Sequence, residues 1–165
     1  VFFGKQDVKD PFTAVRASSS LPLLCKMVDF KGYRLLDGAV ADPIPLERSV
    51  CGGHEYNVVV LTRDITYRKK EKSSYPKALV YAQYHEYPNL IAALEARGGL
   101  YNRQVEYVLE QERKKKAVVV RPSRPIDISS HEKDPDKLIA VYMLGVQDAV
   151  QKLKEIRELL KREEQ

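Results

Sequence analysis

Two rhythms of apolar residues run along this chain. In Tyr56-Asn57-Val58-Val59-Val60-Leu61-Thr62 the apolar positions do not alternate with polar ones. Such a β-branched run predicts a strand buried on both faces of a parallel sheet. Residues 117–121 repeat the pattern and are closed by Pro122 and Pro125. Elsewhere the period is helical. Leu138, Tyr142, Gly145/Val146, Ala149, Leu153, Ile156 and Leu160 fall on one stripe, with Asp134 placed to cap and Pro135 to take the first turn. Residues 77–83 and 88–97 predict two helical pieces broken at Tyr87-Pro88. Gly98-Gly99 reads as the start of a further helix carrying Leu100, Tyr101, Val105, Val108 and Leu109. Its cationic last turn suits the negative end of the helix dipole.

Shorter elements come first in the chain. Residues 1–4 read as a strand, and a chain opening in mid-strand without a cap is expected to be a piece of a longer one. Asp10-Pro11 supplies a cap and a first-turn proline for a short helix, which Ser18-Ser19-Ser20-Leu21-Pro22 ends. Residues 26–30 and 33–36 flank Lys31-Gly32, a tight hairpin turn. After Asp37-Gly38 comes a proline-punctuated loop, then a short helix over 46–50 stopped by Gly52-Gly53. This succession of strands and helices predicts an α/β arrangement with a mixed or mainly parallel sheet, followed by a helical C-terminal extension.

At 165 residues, 44% hydrophobic and 31% charged, the chain is long enough for one real core. Its net charge of +5 is concentrated in Arg68-Lys69-Lys70-Glu71-Lys72 and Arg113-Lys114-Lys115-Lys116. Solvated helix ends and loops account for such runs, and a basic rim touching anionic lipid headgroups is the sharper reading. Nucleic acid is disfavoured, because no aromatics are interleaved with these runs. Cys25 and Cys51 lack C-x-x-C spacing and read as free thiols in a reducing cytosol. No apolar run is long enough to span a bilayer.

The candidate chemistry centres on Asp37. Asp-Gly between apolar runs is a common hairpin turn. Here, however, Val40-Ala41-Asp42-Pro43-Ile44-Pro45 cannot pair as a clean return strand, since prolines donate no ladder bond. A carboxylate where a buried strand gives way to a loop could instead take the proton of a serine hydroxyl and hold it for attack on an acyl carbonyl. Asp42 reads as a loop cap or a second functional carboxylate, while Pro43 and Pro45 fix the loop. Ser18, Ser19 and Ser20 lack a glycine elbow and read as helix termination. Ser74-Tyr75-Pro76-Lys77 matches S-x-x-K without its companion motifs. His54, His85 and His131 do not share metal spacing. Tyr81, Tyr84, Tyr87, Tyr101 and Tyr107 read as packing between helices, with their hydroxyls at the surface.

Four motifs in order carry a resemblance. Ala17-Ser18-Ser19-Ser20-Leu21-Pro22, Tyr33-Arg34-Leu35-Leu36-Asp37-Gly38-Ala39, Asp42-Pro43-Ile44-Pro45 and Val58-Val59-Val60-Leu61-Thr62-Arg63 together resemble the second half of the patatin-like phospholipase catalytic domain. Tyr87-Pro88-Asn89, Arg97, Tyr101-Asn102, Val118-Val119-Val120-Arg121-Pro122 and Leu144-Gly145-Val146-Gln147-Asp148-Ala149 resemble the helical extension of one bacterial branch of that family. The resemblance implies part of a three-layer α/β/α fold over residues 1–66, carrying the D-G-A motif, and a mostly helical extension with one strand over 67–165.

It also implies a serine acyl hydrolase, acting on phospholipid or another carboxylic ester, that uses a Ser–Asp dyad. Asp37 would be its aspartate, with Gly38 and Ala39 completing the motif and Asp42 and Pro45 supporting the loop. Such a cycle needs no metal or organic cofactor. The family's G-x-S-x-G serine and glycine-rich oxyanion loop precede the matching region, and no G-x-S-x-G surrounds any of the eight glycines here. These residues alone are therefore expected to be inactive, each oxyanion donor being worth roughly 10²–10³ in rate. The expected partners are a lipid or ester substrate, an anionic membrane touched peripherally from the cytoplasm, and either a second copy or the missing N-terminal half. The rival expectation is a non-catalytic membrane-surface or partner-binding module in which Asp37-Gly38 is only a turn.

Overall fold

The computed structural model of the chain describes residues 1–4, 6, 8–73, 75–129 and 131–163, so Ser74 of the S-x-x-K match lies outside the described residues. Its helices are α1 (Pro11–Ser18), α2 (Leu46–Cys51), α3 (Lys77–Tyr84), α4 (Pro88–Arg113) and α5 (Pro135–Glu163). Its strands are β1 (Val28–Phe30), β2 (Tyr33–Leu35), β3 (Asn57–Val60) and β4 (Ala117–Val120). β1 and β2 pair antiparallel, whereas β3 and β4 pair parallel in the register Asn57↔Ala117 to Val60↔Val120. The fold is mixed α/β with two small sheets. The chain divides into two compact units, Val1–Ile44 with Lys69–Asn102, and Pro45–Arg68 with Arg103–Gln165.

In the first unit, Asp10 opens α1 by accepting the Phe12 and Thr13 N–H groups, with Pro11 in the first turn. The Thr13 hydroxyl also donates to this carboxylate, and these bonds hold Asp10 below the usual carboxylate range. Lys31 and Gly32 both sit at positive φ (51° and 80°), the conformation a two-residue hairpin turn requires. The core of this unit gathers Val40, Val80, Tyr84, Ile91 and Leu94, with Met27, Leu36 and Tyr75 packed against it. Residues 1–4 form no strand, although the Phe3 ring stands edge-on to Phe30 at 5.1 Å.

α4 runs straight through Gly98-Gly99, where the sequence suggests a fresh start. One stripe, Ile91, Leu94, Gly98, Val105 and Val108, is buried along its length, so the glycine occupies a packing position. A Cβ at Gly98 would collide with the Lys70 carbonyl. One turn later Asn102 grips the same segment, accepting the Lys69 N–H at 2.8 Å and donating to the Lys69 carbonyl at 2.9 Å.

In the second unit β4 is buried, Val119 being 1% exposed, and α5 packs over it. Two expectations change here. β3 is not buried on both faces: Val58 is 43% and Val60 71% exposed. The covered stripe of α5 is Val141, Leu144, Asp148, Ala149, Ile156 and Leu159, which keeps Ala149 and Ile156 of the predicted stripe and is otherwise turned by about one position. Leu138, Tyr142, Val146, Leu153 and Leu160 remain exposed. Asp148 explains part of that rotation, since a nearly buried carboxylate accepts the Ser123 N–H at 3.0 Å. Among the described residues no helix is long and apolar enough to cross a membrane.

Candidate functional site

Asp37 lies two residues beyond the end of β2, in the first unit. The strand leading to it is short, antiparallel and largely exposed, unlike the buried strand that the sequence suggests. The residue itself is half-buried. No hairpin forms at Asp37-Gly38. The chain instead winds into a 3-10 turn, Gly38–Val40, with Asp37 as its N-cap. One carboxylate oxygen, Oδ1, accepts the Ala39 N–H at 2.7 Å. Among the described residues, Oδ2 accepts no hydrogen bond.

The backbone on either side is fixed as well. The Asp37 N–H donates to the Ser20 carbonyl at 2.8 Å, which ties the turn to the end of α1. The Asp37 and Gly38 carbonyls accept from Val40 and Asp42, at 3.1 and 2.9 Å. Asp42 is thus joined to the turn through its main chain. Pro45 belongs to the second unit, where its carbonyl accepts the Ser49 N–H at the start of α2.

The three serines end α1. Ser18 is its last residue and Ser19 its C-cap, whose hydroxyl donates to the Val15 carbonyl at 2.9 Å. Ser20 is buried, and its hydroxyl donates to the Arg16 carbonyl at 2.7 Å. A Cβ at Gly38 would stand 3.4 Å from the Ser18 hydroxyl, so that serine lies beside the turn. Among the described residues, no hydrogen bond joins any of the three to the Asp37 carboxylate.

Sequence reasoning gave no individual role to the side chains that brace this turn. Arg97, on the first half of α4, donates from Nε to the Ala39 carbonyl at 3.0 Å and from Nη1 to the Tyr75 hydroxyl at 3.2 Å. Its guanidinium therefore clamps the residue whose N–H holds the carboxylate. Its traces in the sequence are its helical spacing beside Leu94 and its place among the residues that carry the resemblance. Tyr84 is a correction: it is 2% exposed, and its hydroxyl accepts the Leu23 N–H at 2.9 Å rather than reaching the surface. Arg34 donates to the Tyr87 hydroxyl. Cys25 and Cys51 are both free and exposed. Among the described residues no three His, Cys, Asp or Glu side chains gather as a metal site requires.

Chemically, the turn presents a carboxylate oriented by one backbone donor, with a second oxygen available to a further donor. Residues 87–161, a little under half of the chain, match the family model DUF6363, described as a domain of unknown function. The matched region contains α4, β4 and all but the last two residues of α5, hence the Arg97 clamp but not Asp37. No curated protein and no solved structure matches the chain.

Proposed function

We propose that this chain contributes the aspartate of a Ser–Asp acyl hydrolase resembling the patatin-like phospholipases. In that assembly the attacking serine comes from polypeptide outside these residues, and the complete fold is a three-layer α/β/α sandwich. The observation that carries the reading is the Asp37 turn: Oδ1 is held by the Ala39 N–H and Oδ2 is left for another donor. A general base must be oriented and must keep an acceptor for the proton it removes. In the proposed cycle, Oδ2 takes the serine proton as the oxygen attacks the ester carbonyl. That proton then goes to the departing alkoxide, leaving an acyl-enzyme. Water attacks the acyl carbon, Asp37 takes its proton and returns it to serine, and the carboxylic acid leaves.

Two assays test this. The 165-residue chain alone is expected to show no p-nitrophenyl butyrate turnover and no serine labelling by a fluorophosphonate. Labelling at Ser18, Ser19 or Ser20 would put the nucleophile inside the chain. In a longer polypeptide that carries a G-x-S-x-G segment, Asp37→Asn is expected to lower turnover by about 10²–10⁴-fold, the range of general-base catalysis. Unchanged turnover would remove Asp37 from the chemistry. The competing reading, a binding module in which Asp37 only caps the turn, is favoured by the Ala39 N–H bond itself. It expects Asp37→Asn to preserve every activity, because asparagine caps as well as aspartate does.

A further inference from the structure

α5 carries two apolar stripes. The covered one, built on Val141, Leu144, Asp148, Ile156 and Leu159, packs within the second unit. The other is Ile139, Met143, Val146, Val150, Leu153 and Leu160, on roughly the opposite side of the helix. It is open to solvent, from 38% exposed at Val146 to 59% at Ile139. A surface helix ordinarily turns polar and charged residues outward, and here the outward face is apolar.

The spacing of that face is specific. Its residues follow one another in steps of four and three, with Arg157 standing between Leu153 and Leu160. This is the 3.5-residue repeat of a coiled-coil seam. Met143, Val150 and Arg157 take the a positions, and Ile139, Val146, Leu153 and Leu160 the d positions. Carried back to Asp136, the seam runs through more than three heptads, the length at which such a repeat points to a paired helix.

Two charges interrupt the seam, Asp136 one heptad before Met143 and Arg157 one heptad after Val150, and both are exposed. They are opposite in sign and stand near opposite ends, so the seam complements itself when it is reversed. We propose that the outward face of α5 pairs with the same face of a second copy of this chain, antiparallel, about a two-fold axis. In the register that uses the whole seam, Val146 meets the partner's Val150 beside the axis, and Met143 meets the partner's Leu153. Ile139 is covered by the stem of the partner's Arg157, whose guanidinium reaches Asp136 one turn away. The two-fold axis makes each of these contacts twice.

Other arrangements leave the charges unused. A parallel pair sets Arg157 against Arg157 and Asp136 against Asp136, like charges within an apolar seam. A membrane surface takes up the apolar side chains but gains nothing from the match between Asp136 and Arg157. An upstream segment of the same polypeptide has no need of a self-complementary seam. The inference involves neither Asp37 nor the first unit, so it stands apart from the hydrolase reading.

Sedimentation velocity and charge reversal test it. The 165-residue chain is expected to be a dimer at about 100 µM and to dissociate on dilution. Val150→Lys places a charge beside the axis at an already exposed position. It is expected to keep the helical circular dichroism and to be a monomer at the same concentration. Arg157→Asp and Asp136→Arg are each expected to weaken the dimer by about 10-fold or more, since each sets like charges together twice. Combined in one chain, the two substitutions are expected to restore the dissociation constant to within about 3-fold, because the pair is remade with its signs exchanged.

A monomeric wild type at that concentration overturns the proposal, as does a Val150→Lys variant that still dimerises. A doubly reversed chain no tighter than the single variants removes the antiparallel pairing. A monomer that binds phosphatidylcholine vesicles, and loses this with Val150→Lys, would make the face a lipid surface instead. A longer polypeptide that is monomeric where the 165-residue chain is dimeric would make an upstream segment the occupant.

Discussion

Leu23 sits at φ 66°, a left-handed conformation that a branched aliphatic residue adopts at a cost. The Tyr84 hydroxyl accepts its N–H at 2.9 Å, and the tyrosine ring packs among Val40, Val80, Ile91 and Leu94. One side chain thus fills the core of the first unit and pins a strained backbone position. Tyr84→Phe keeps the ring and removes the acceptor, leaving the Leu23 N–H unsatisfied in a half-buried site. The expected cost is about 1–3 kcal/mol in urea unfolding, with the slope unchanged because the exposed surface is the same. A loss below a few tenths of a kcal/mol would mean that water reaches Leu23 and that the hydroxyl bond is incidental. The sequence supplies the tyrosine and its helical position. It could not supply the bond, because the donor lies sixty-one residues away.

Among the elements, the two helix-interior glycines with contrasting surroundings make the sharpest comparison. Gly98 faces the Lys70 carbonyl, and no side chain fits between them. Gly145 has nothing within 4 Å of where a Cβ would stand. Gly145→Ala is therefore expected to raise stability by roughly 0.5–1 kcal/mol, the helix-propensity difference alone. Gly98→Ala is expected to lower it despite the same propensity gain, because the Lys69–Lys70 segment must move off α4. Thermal unfolding of both variants checks the pair, and stabilisation by Gly98→Ala would show that the close approach is dispensable. The contrast also marks what the sequence made legible. Caps and turns with local chemistry, such as Asp10-Pro11, Lys31-Gly32 and Asp134-Pro135, were readable because their causes lie within a few residues. Asp37 was readable as a residue that does not turn a hairpin, since the prolines after it forbid a return strand. The continuity of α4, the exposed face of β3, the rotation of α5 and the Arg97 clamp were not readable. Each is decided by a distant group: the Lys70 carbonyl, the helix over β4, the Ser123 N–H and the Ala39 carbonyl.

For the molecule as a whole, the two basic runs carry less unopposed charge than their sequence suggests. Arg68 pairs with Glu106 at 2.6 Å, Lys114 with Glu110 at 2.6 Å, and Lys116 with Glu55 at 3.1 Å. Each of these carboxylates offsets a cation at the place where a lipid headgroup would meet it. The hydrogen bond and charge of Lys114 also hold Glu110 below the usual carboxylate range. The basic-rim reading, which we propose and do not take as given, therefore expects attachment to an anionic membrane that is weak and governed by salt. The chain is expected to co-sediment with phosphatidylserine-containing vesicles at about 10 mM salt and to release at about 150 mM, where the screening length has fallen to about 8 Å. Replacing Glu55, Glu106 and Glu110 together by glutamine frees three cations and should carry binding to higher salt. Phosphatidylcholine vesicles should bind neither form. Salt-insensitive binding would point elsewhere, to the exposed Tyr142, Met143, Val146 and Val150 of α5, because burial of apolar surface is not screened by counterions. The triple variant separates the two cases: it strengthens an electrostatic attachment and leaves an apolar one unchanged.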